Sequence, residues 1–146
     1  MKLAIGSDER NHVTDWVIDY LRKAGHEVEL FGPVRENDER EWADVSIDLA
    51  ESVGEARCDE GVLFCWTGTG SSIAANKVKG VRAALCVDAE EARGARKWNH
   101  ANVLVLSLRL TSEGLAKEIL DAWFSTPYGK EEFDLRNVER VNKYEK

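Results

Sequence analysis

A cysteine followed by a glycine-rich turn is the part of the sequence best suited to chemistry. Residues 61–65 form a continuous apolar segment typical of a buried strand, and Trp66-Thr67-Gly68-Thr69-Gly70-Ser71-Ser72 separates it from a helical segment that begins near Ile73. A strand–turn–helix junction of this kind directs backbone N–H groups and a helix dipole at one point, which suits a phosphate or a developing oxyanion. The thiol of Cys65 would act there as a base or a nucleophile. The alternative is that Cys65 is a small hydrophobic residue of the core.

The glycine spacing does not match the common nucleotide-binding fingerprints. It fits neither GxxxxGK[ST] nor GxGxxG. The other two of the three cysteines, Cys58 and Cys86, lie outside the turn and are expected to be buried core residues. Since there is no CxxC spacing and no paired histidine, neither a disulfide framework nor a zinc site is favoured. We therefore expect no metal and no cofactor.

The elements that must position Cys65 alternate between strands and helices. The spacing of apolar residues predicts strands at residues 3–5, 27–31, 61–65, 81–86 and 103–106, and helices at residues 12–23, 42–53, 73–77, 89–98, 115–124 and 131–143. This alternation predicts an α/β fold with one parallel sheet covered on both faces, in a single domain that spans residues 1–146. Ligands of such sheets bind beyond the carboxyl ends of the strands. Residues 6–8 and 65–72 should converge there, joined by residues 99–102 if that turn lies at the same edge.

Composition narrows the classes of partner. The chain has 146 residues, with 20 Lys and Arg against 27 Asp and Glu, and its net charge is −7. An acidic balance argues against nucleic acid. No apolar run is long enough for a membrane span, and the opening MKLAIG has no signal-peptide pattern. We expect a cytoplasmic protein without a nucleic-acid or membrane partner.

A long segment around the turn resembles a known family. Residues 64–77, Phe-Cys-Trp-Thr-Gly-Thr-Gly-Ser-Ser-Ile-Ala-Ala-Asn-Lys, and residues 80–86, Gly-Val-Arg-Ala-Ala-Leu-Cys, are similar to the signature of the type B ribose-5-phosphate isomerase and galactose-6-phosphate isomerase subunit family. The resemblance also includes residues 5–8, 25–28, 102–104 and 116–123, and so covers nearly the whole chain up to Pro127.

The resemblance implies a Rossmann-like three-layer α/β/α sandwich with a five-stranded parallel sheet. It implies a homodimer, sometimes paired into a tetramer, with active sites at the subunit interface, where the helix at residues 131–143 would pack. The reaction implied is metal-free aldose–ketose interconversion of a sugar phosphate through an enediolate. Cys65 would move the proton between C1 and C2, Asp8 and Asn99 would contact substrate hydroxyls, and Arg109 would bind the phosphate. The enediolate oxygens would be held by residues of the turn: Thr67, Gly68, Thr69, Gly70 and Ser71.

Several residues depart from the family pattern at functional positions. Glu9 stands where the family has a histidine that faces the phosphate, and Trp98 replaces the histidine that opens the sugar ring, with His100 in place of an aspartate. Trp66 replaces a glycine and should narrow the pocket, forming with Trp98 an aromatic wall for the sugar.

The C-terminal helix departs as well. Phe133 and Asn137 occupy the positions of two phosphate-binding arginines, which leaves Arg136 to reach across a dimer interface. The alternative for Arg136 is a solvated helix face, paired with Glu132.

One hypothesis accounts for these departures together. A tetrose or tetrulose 4-phosphate is too short to cyclise, so it needs no ring-opening acid and fits a smaller pocket than a pentose phosphate. This predicts faster turnover of erythrulose 4-phosphate than of ribose 5-phosphate. The alternatives are an isomerase of a non-phosphorylated sugar and a non-catalytic protein that binds a sugar or anion; the presence of Cys65, Thr67 and Gly68 together disfavours the latter.

Overall fold

The computed structural model, which describes residues 1–145, is built on a parallel sheet of five strands. The strands are β1 (Lys2–Ser7), β2 (Glu27–Phe31), β3 (Glu60–Cys65), β4 (Ala83–Leu85) and β5 (Val103–Ser107). Their order across the sheet is β2-β1-β3-β5-β4, and every neighbouring pair is parallel. The prediction of an α/β fold with a five-stranded parallel sheet is confirmed.

Helices fill the connections between the strands. They are α1 (His12–Lys23), α2 (Trp42–Gly54), α3 (Thr69–Ala75), α4 (Ala89–Asn99), α5 (Glu113–Ser125) and α6 (Glu132–Asn142), with a short 3₁₀ turn at Gly32–Val34. Helix α1 begins at a capping box, in which the Asn11 side chain accepts from the N–H groups of Val13 and Thr14 while the Thr14 hydroxyl accepts from the N–H of Asn11. No helix within residues 1–145 is both long enough and apolar enough to span a bilayer.

Alternating side chains of the strands pack into two separate cores. In β1, Leu3 and Ile5 belong to the cluster that includes apolar residues of α1, α4 and α5, whereas Ala4 belongs to the cluster that includes those of α2 and α3. Because successive side chains of a strand point to opposite faces of the sheet, the two clusters lie on its two sides. The chain is therefore a three-layer α/β/α sandwich.

The order of the strands creates a crevice beside β3. The connections from β1 and β3 lead to opposite sides: β1 is followed by β2 at one end of the sheet, and β3 is followed by β4 at the other end. Ligands of open parallel sheets bind at this kind of switch point, beyond the carboxyl ends of the strands. Ser7 pairs with Phe64, so Asp8 and Cys65 follow side by side at the mouth of the crevice.

The turn at residues 99–102 lies at the opposite edge of the sheet. It connects the end of α4 to the start of β5, and the Asn102 carbonyl accepts from the N–H of Gly61 near the start of β3. A segment that precedes a parallel strand lies at the amino edge, whereas Cys65 ends its strand. Within one chain, the condition for residues 99–102 to join residues 6–8 and 65–72 is therefore not met.

Helix α3 and strand β4 differ in extent from their predicted bounds. Helix α3 begins at Thr69 rather than near Ile73, because Gly68 adopts a left-handed conformation and the chain turns directly into the helix. Strand β4 covers Ala83–Leu85 only. The N–H of Arg82 donates to the Asn102 side chain instead of to a neighbouring strand.

Candidate active site

The backbone at Cys65 is fixed by the chain that leaves β5. The N–H of Leu108 donates to the Cys65 carbonyl at 3.0 Å, and the N–H of Arg109 donates to the Trp66 carbonyl at 2.9 Å. The Ser107 hydroxyl donates to the same Trp66 carbonyl at 2.9 Å. Three hydrogen bonds therefore hold Cys65, which is 5% exposed, at the carboxyl edge.

Gly68 brings a backbone donor to the sulfur. Its N–H donates to Cys65 Sγ at 3.2 Å. This geometry requires φ of +78°, and a Cβ at Gly68 would lie 2.5 Å from the Leu85 side chain. Glycine is therefore needed both for the backbone conformation and for space.

The N–H groups at the start of α3 face the same crevice. The first N–H groups of a helix have no acceptor within it, and no side chain caps α3. The hydroxyls of Thr67 and Thr69, 2.8 Å apart, stand beside these N–H groups. The predicted strand–turn–helix junction is thus present, and the N–H of Gly68 within it reaches the thiol of Cys65.

Helix α2 supports the turn from outside. Ser71 is fully buried, and its hydroxyl lies 2.9 Å from that of Ser46. The ring of Trp42 covers Gly70: a Cβ built on Gly70 would lie 3.1 Å from two carbons of the indole. Sequence reasoning placed Trp42 in a helix but did not bring it to the site. The one signal in the sequence that could have indicated a role for Trp42 at the turn is its position at the start of a helix, directly after the charged loop at residues 35–41.

Asp8 carries an unpaired oxygen into the crevice. Its Oδ1 is buried, without a hydrogen-bond partner among the described residues. Burial raises the pKa of Asp8, and repulsion from the neighbouring carboxylate of Glu9 raises that pKa further. A buried acceptor without a donor is costly, so a ligand hydroxyl at this position would be stabilising. Glu9 itself is exposed.

Arg109 and Trp66 lie at the rim of the crevice. Both are exposed, Trp66 by 56%, and the backbone hydrogen bond described above places them side by side. Arg109 has no carboxylate within ion-pair distance in the part of the chain that the structure describes. It is therefore available to an anionic ligand.

The remaining predicted site residues do not join Cys65 within one chain. Trp98 and Asn99 line a cavity of about 320 Å³ with Asn137 and Val141 of α6 at the amino edge. Trp66 and Trp98 therefore form no aromatic wall within one chain, because they occupy opposite edges of the sheet.

His100 and Arg136 are also engaged elsewhere. His100 Nε2 lies 2.9 Å from the Gly129 carbonyl oxygen. Arg136 lies on α6, 3.9 Å from Glu132, in the pairing considered for a solvated helix face. The structure of one chain thus places four predicted site residues, Trp98, Asn99, His100 and Arg136, away from the crevice.

A buried ion pair lies under the 99–102 turn. Arg96 Nη2 is 2.8 Å from Glu60 Oε1, and Trp123 Nε1 donates to Glu60 Oε2 at 2.7 Å. Arg96 also donates to the Ala101 carbonyl at 2.6 Å, and its guanidinium lies 4.4 Å from the centre of the Tyr128 ring. Burial raises the pKa of Glu60 more than Arg96 lowers it. Sequence reasoning missed this pair, because nothing local connects the two residues.

No group of three or more His, Cys, Asp or Glu side chains within residues 1–145 is placed to hold a metal ion. The polar groups available at the crevice are instead a thiol, a carboxyl, hydroxyls and backbone amides. These groups suit an anionic or polyhydroxylated organic ligand.

The fold and the crevice define a Rossmann-like sandwich with a thiol beside a glycine-rich turn at the start of a helix. Residues 3–144 match the family model described as Ribose/Galactose Isomerase. The chain belongs to the ribose/galactose isomerase family, as the resemblance of its sequence predicts.

Characterised relatives match most of the chain. It is 37% identical over 131 residues to the D-erythrulose-4-phosphate isomerase of Pectobacterium atrosepticum, covering 88% of this chain and 85% of the relative. It is 34% identical over 128 residues to the ribose-5-phosphate isomerase B of Escherichia coli, covering 87% and 85%.

Solved structures show the same architecture. The ribose-5-phosphate isomerase B of Clostridium thermocellum superimposes with a TM-score of 0.90 at 35% identity, covering 98% of this chain and 96% of that one. The corresponding enzyme of Mycoplasma genitalium, solved with bound ribulose-5-phosphate, gives a TM-score of 0.89 at 29% identity, covering 98% and 95%.

Proposed function

We propose that the protein interconverts an aldose phosphate and a ketose phosphate, with Cys65 as the base. The observation that carries the proposal is the position of the Cys65 sulfur, 3.2 Å from the Gly68 nitrogen at the end of the central strand. Removal of a proton from the carbon next to a carbonyl needs one base and fixed donors where negative charge develops. The crevice supplies both within a single turn of chain.

The chemistry follows from the groups at the turn. The Cys65 thiolate takes the proton from C1 of the ketose, and the electron pair of that C–H bond forms the C1–C2 double bond. The carbonyl oxygen on C2 becomes an enediolate oxygen, which the α3 amides and the Thr67 hydroxyl stabilise. Asp8 accepts a hydrogen bond from a substrate hydroxyl through its unpaired oxygen. Return of the proton to C2, with a proton passed from O1 to O2, gives the aldose.

We propose a four-carbon substrate, D-erythrulose 4-phosphate, whose product is D-erythrose 4-phosphate. With its terminal oxygen phosphorylated, this sugar cannot close a five-membered ring, so no ring-opening acid is needed where Trp98 replaces histidine. Trp66 narrows the crevice, and Arg109 offers a free cation for the phosphate. The name of the Pectobacterium relative supports the same choice.

We also propose that two copies pair so that the amino edge of one completes the crevice of the other. The amino edge carries exposed apolar side chains on α4 and α6: Trp98 is 55% exposed, Phe133 67% and Val141 58%. In a two-fold dimer, Asn99 of the second copy would then reach the substrate beside Cys65. The C-terminal helix lies at the interface in this arrangement.

The experiment that tests the chemistry is solvent exchange in D₂O. The protein should wash deuterium into C1 of D-erythrulose 4-phosphate and produce the aldose. Cys65→Ala should abolish both signals. Cys58→Ala is the matched control and should retain both signals. It removes a buried thiol that lies before β3 and donates a hydrogen bond to Glu29. Deuterium exchange that survives in Cys65→Ala would refute the role of the thiol. Turnover of D-erythrulose but not of its phosphate would favour a non-phosphorylated sugar as the substrate.

Mixing of inactive subunits tests the pairing. Cys65→Ala and Asn99→Ala should each be inactive alone. After unfolding and refolding together, half of the dimers are mixed and each has one intact site, so about a quarter of the activity should return. No recovery, in dimers shown to be mixed, would mean that Asn99 does not act across the interface.

A further inference from the structure

Trp42 packs against the glycine-rich turn at Gly70. Two carbons of its indole lie 3.1 Å, and a third 3.4 Å, from the place where a Cβ of Gly70 would be. The side chain is 45% exposed, so its other side faces solvent rather than the core. An indole in van der Waals contact with one backbone unit of the turn limits the space available to a ligand beside that unit.

Hydrogen bonds and ion pairs anchor the loop that precedes Trp42. The N–H of Gly32 donates to Asp38 Oδ2 at 3.0 Å, and Arg40 lies 2.8 Å from the same oxygen. Arg40 also pairs with Asp48 on α2. The guanidinium of Arg40 lowers the pKa of Asp38 to about 2, so the pair stays ionised at neutral pH. The backbone at Gly32 lies against β1, since a Cβ there would be only 2.5 Å from the Ser7 carbonyl oxygen.

On the basis of the proposed function, we infer that Trp42 determines the length of the sugar chain that the crevice accepts. Trp66 stands at the start of the turn and Trp42 at Gly70, so two indoles bracket the amides that would hold the enediolate. A four-carbon chain fits between them, whereas a fifth carbon with its hydroxyl meets an indole that the anchored loop keeps in place. Trp42 is thus a specificity-determining residue rather than a residue that only packs α2 against α3.

The test compares two non-reacting acids that resemble the enediolate but differ by one carbon, 4-phospho-D-erythronate and 5-phospho-D-arabinonate. Their dissociation constants are measured by titration calorimetry, with kcat/KM for D-erythrulose 4-phosphate and D-ribulose 5-phosphate measured alongside. One carbon more or less in a fitted pocket changes affinity by tenfold or more. The wild type should prefer the four-carbon acid, and Trp42→Ala should shift the ratio of the two affinities by about tenfold toward the five-carbon acid.

Trp16→Ala is the matched control, because it removes the same side chain from α1 on the other face of the sheet, where it stacks on Tyr20. It should leave the ratio unchanged. Trp42→Phe keeps a ring against Gly70 and should give an intermediate ratio; it carries the test if Trp42→Ala does not fold.

Two results would overturn the inference: an unchanged ratio in Trp42→Ala and Trp42→Phe, or an equal loss of affinity for both acids, which is what a purely structural residue gives. Binding without turnover separates the two proposals. If the wild type binds the acids and the ratio shifts, but neither ketose phosphate reacts, the proposed chemistry fails while the role of Trp42 stands. If the wild type binds neither acid, both are refuted.

Discussion

Removal of Arg96 should destabilise the protein strongly, because it leaves the carboxylate of Glu60 buried and unpaired. The two side chains are only 9% and 8% exposed. Breaking one partner of a buried ion pair costs about 3–5 kcal/mol. Arg96→Met keeps the volume of the aliphatic stem but loses the ion pair and the hydrogen bond to the Ala101 carbonyl. We expect a loss of about 4 kcal/mol in the free energy of unfolding.

That loss converts into a large shift of the melting temperature. Unfolding entropies of about 2.1 cal/mol/K per residue give about 0.3 kcal/mol/K for a chain of 146 residues. A loss of about 4 kcal/mol therefore lowers Tm by about 13 °C. Calorimetry with urea unfolding at pH 7 measures both quantities. Lys23→Met, which breaks an exposed pair with Asp19, is the control and should cost about 0.5 kcal/mol or less.

The double variant and the pH dependence test the cause of the loss. Glu60→Gln with Arg96→Met removes both charges and keeps an acceptor for Trp123, so it should recover most of the lost stability. Because the pKa of Glu60 is raised in the folded protein, folding favours the neutral carboxyl. Its contribution to the free energy of unfolding is complete below the unfolded pKa and is lost as pH rises through the folded pKa. Arg96 is one of the groups that lower this pKa, so its removal favours the neutral carboxyl further, and the loss in Arg96→Met should be smaller at pH 4 than at pH 7. A single variant that loses less than about 1 kcal/mol, or a double variant no better than the single, would refute the reasoning.

Two further predictions concern the crevice. Gly68→Ala forces a φ of +78° on alanine and presses its Cβ against Leu85, so it should cost about 2 kcal/mol in the free energy of unfolding. It should also displace the N–H donor to Cys65 and lower kcat/KM about a hundredfold. Unchanged kinetics in a variant that urea unfolding shows to be folded would contradict this. Asp8→Asn should raise stability at pH 7 by about 1 kcal/mol while it lowers turnover. Burial and Glu9 raise the pKa of Asp8 in the folded protein, so the contribution of its neutral carboxyl to folding stability is complete below the unfolded value of 3.8 and is lost as pH rises. The gain should therefore vanish near pH 3, and a gain that persists there in thermal melts would exclude this cause.

The fold was predictable because its signals are local. The apolar spacing of residues 12–23 and the cap at Asn11 lie within one helix, and α1 spans those same residues. The unbroken apolar run of residues 61–65 likewise predicts a strand buried on both faces, as β3 is. The turn after it was identified as a place for an anion because its glycines and the helix start are adjacent in sequence.

The site was less predictable because its walls come from distant parts of the chain. Trp42 meets Gly70 only once α2 packs against α3, and the Glu60–Arg96 pair joins residues from β3 and α4. Neither contact leaves a pattern in the sequence around either residue. The unpaired oxygen of Asp8 could not be predicted either. The burial that leaves Oδ1 without a partner and raises the pKa of Asp8 exists only in the folded chain.

The position of the 99–102 turn changes how the departures from the family pattern should be interpreted. Glu9 and Trp66 alter the carboxyl edge, where Asp8 lies beside Cys65 and Arg109 stands at the rim. Trp98 and the residues of α6 alter the amino edge, which one chain cannot bring to its own thiol. In the proposed dimer, a lost ring-opening histidine and lost phosphate arginines are therefore changes in what a second copy contributes, whereas the proposed proton transfer depends on the first. Under these proposals, the substrate can become shorter through changes in the second copy without any change in the base. The proposed reaction and the proposed chain length therefore rest on separate residues and separate experiments.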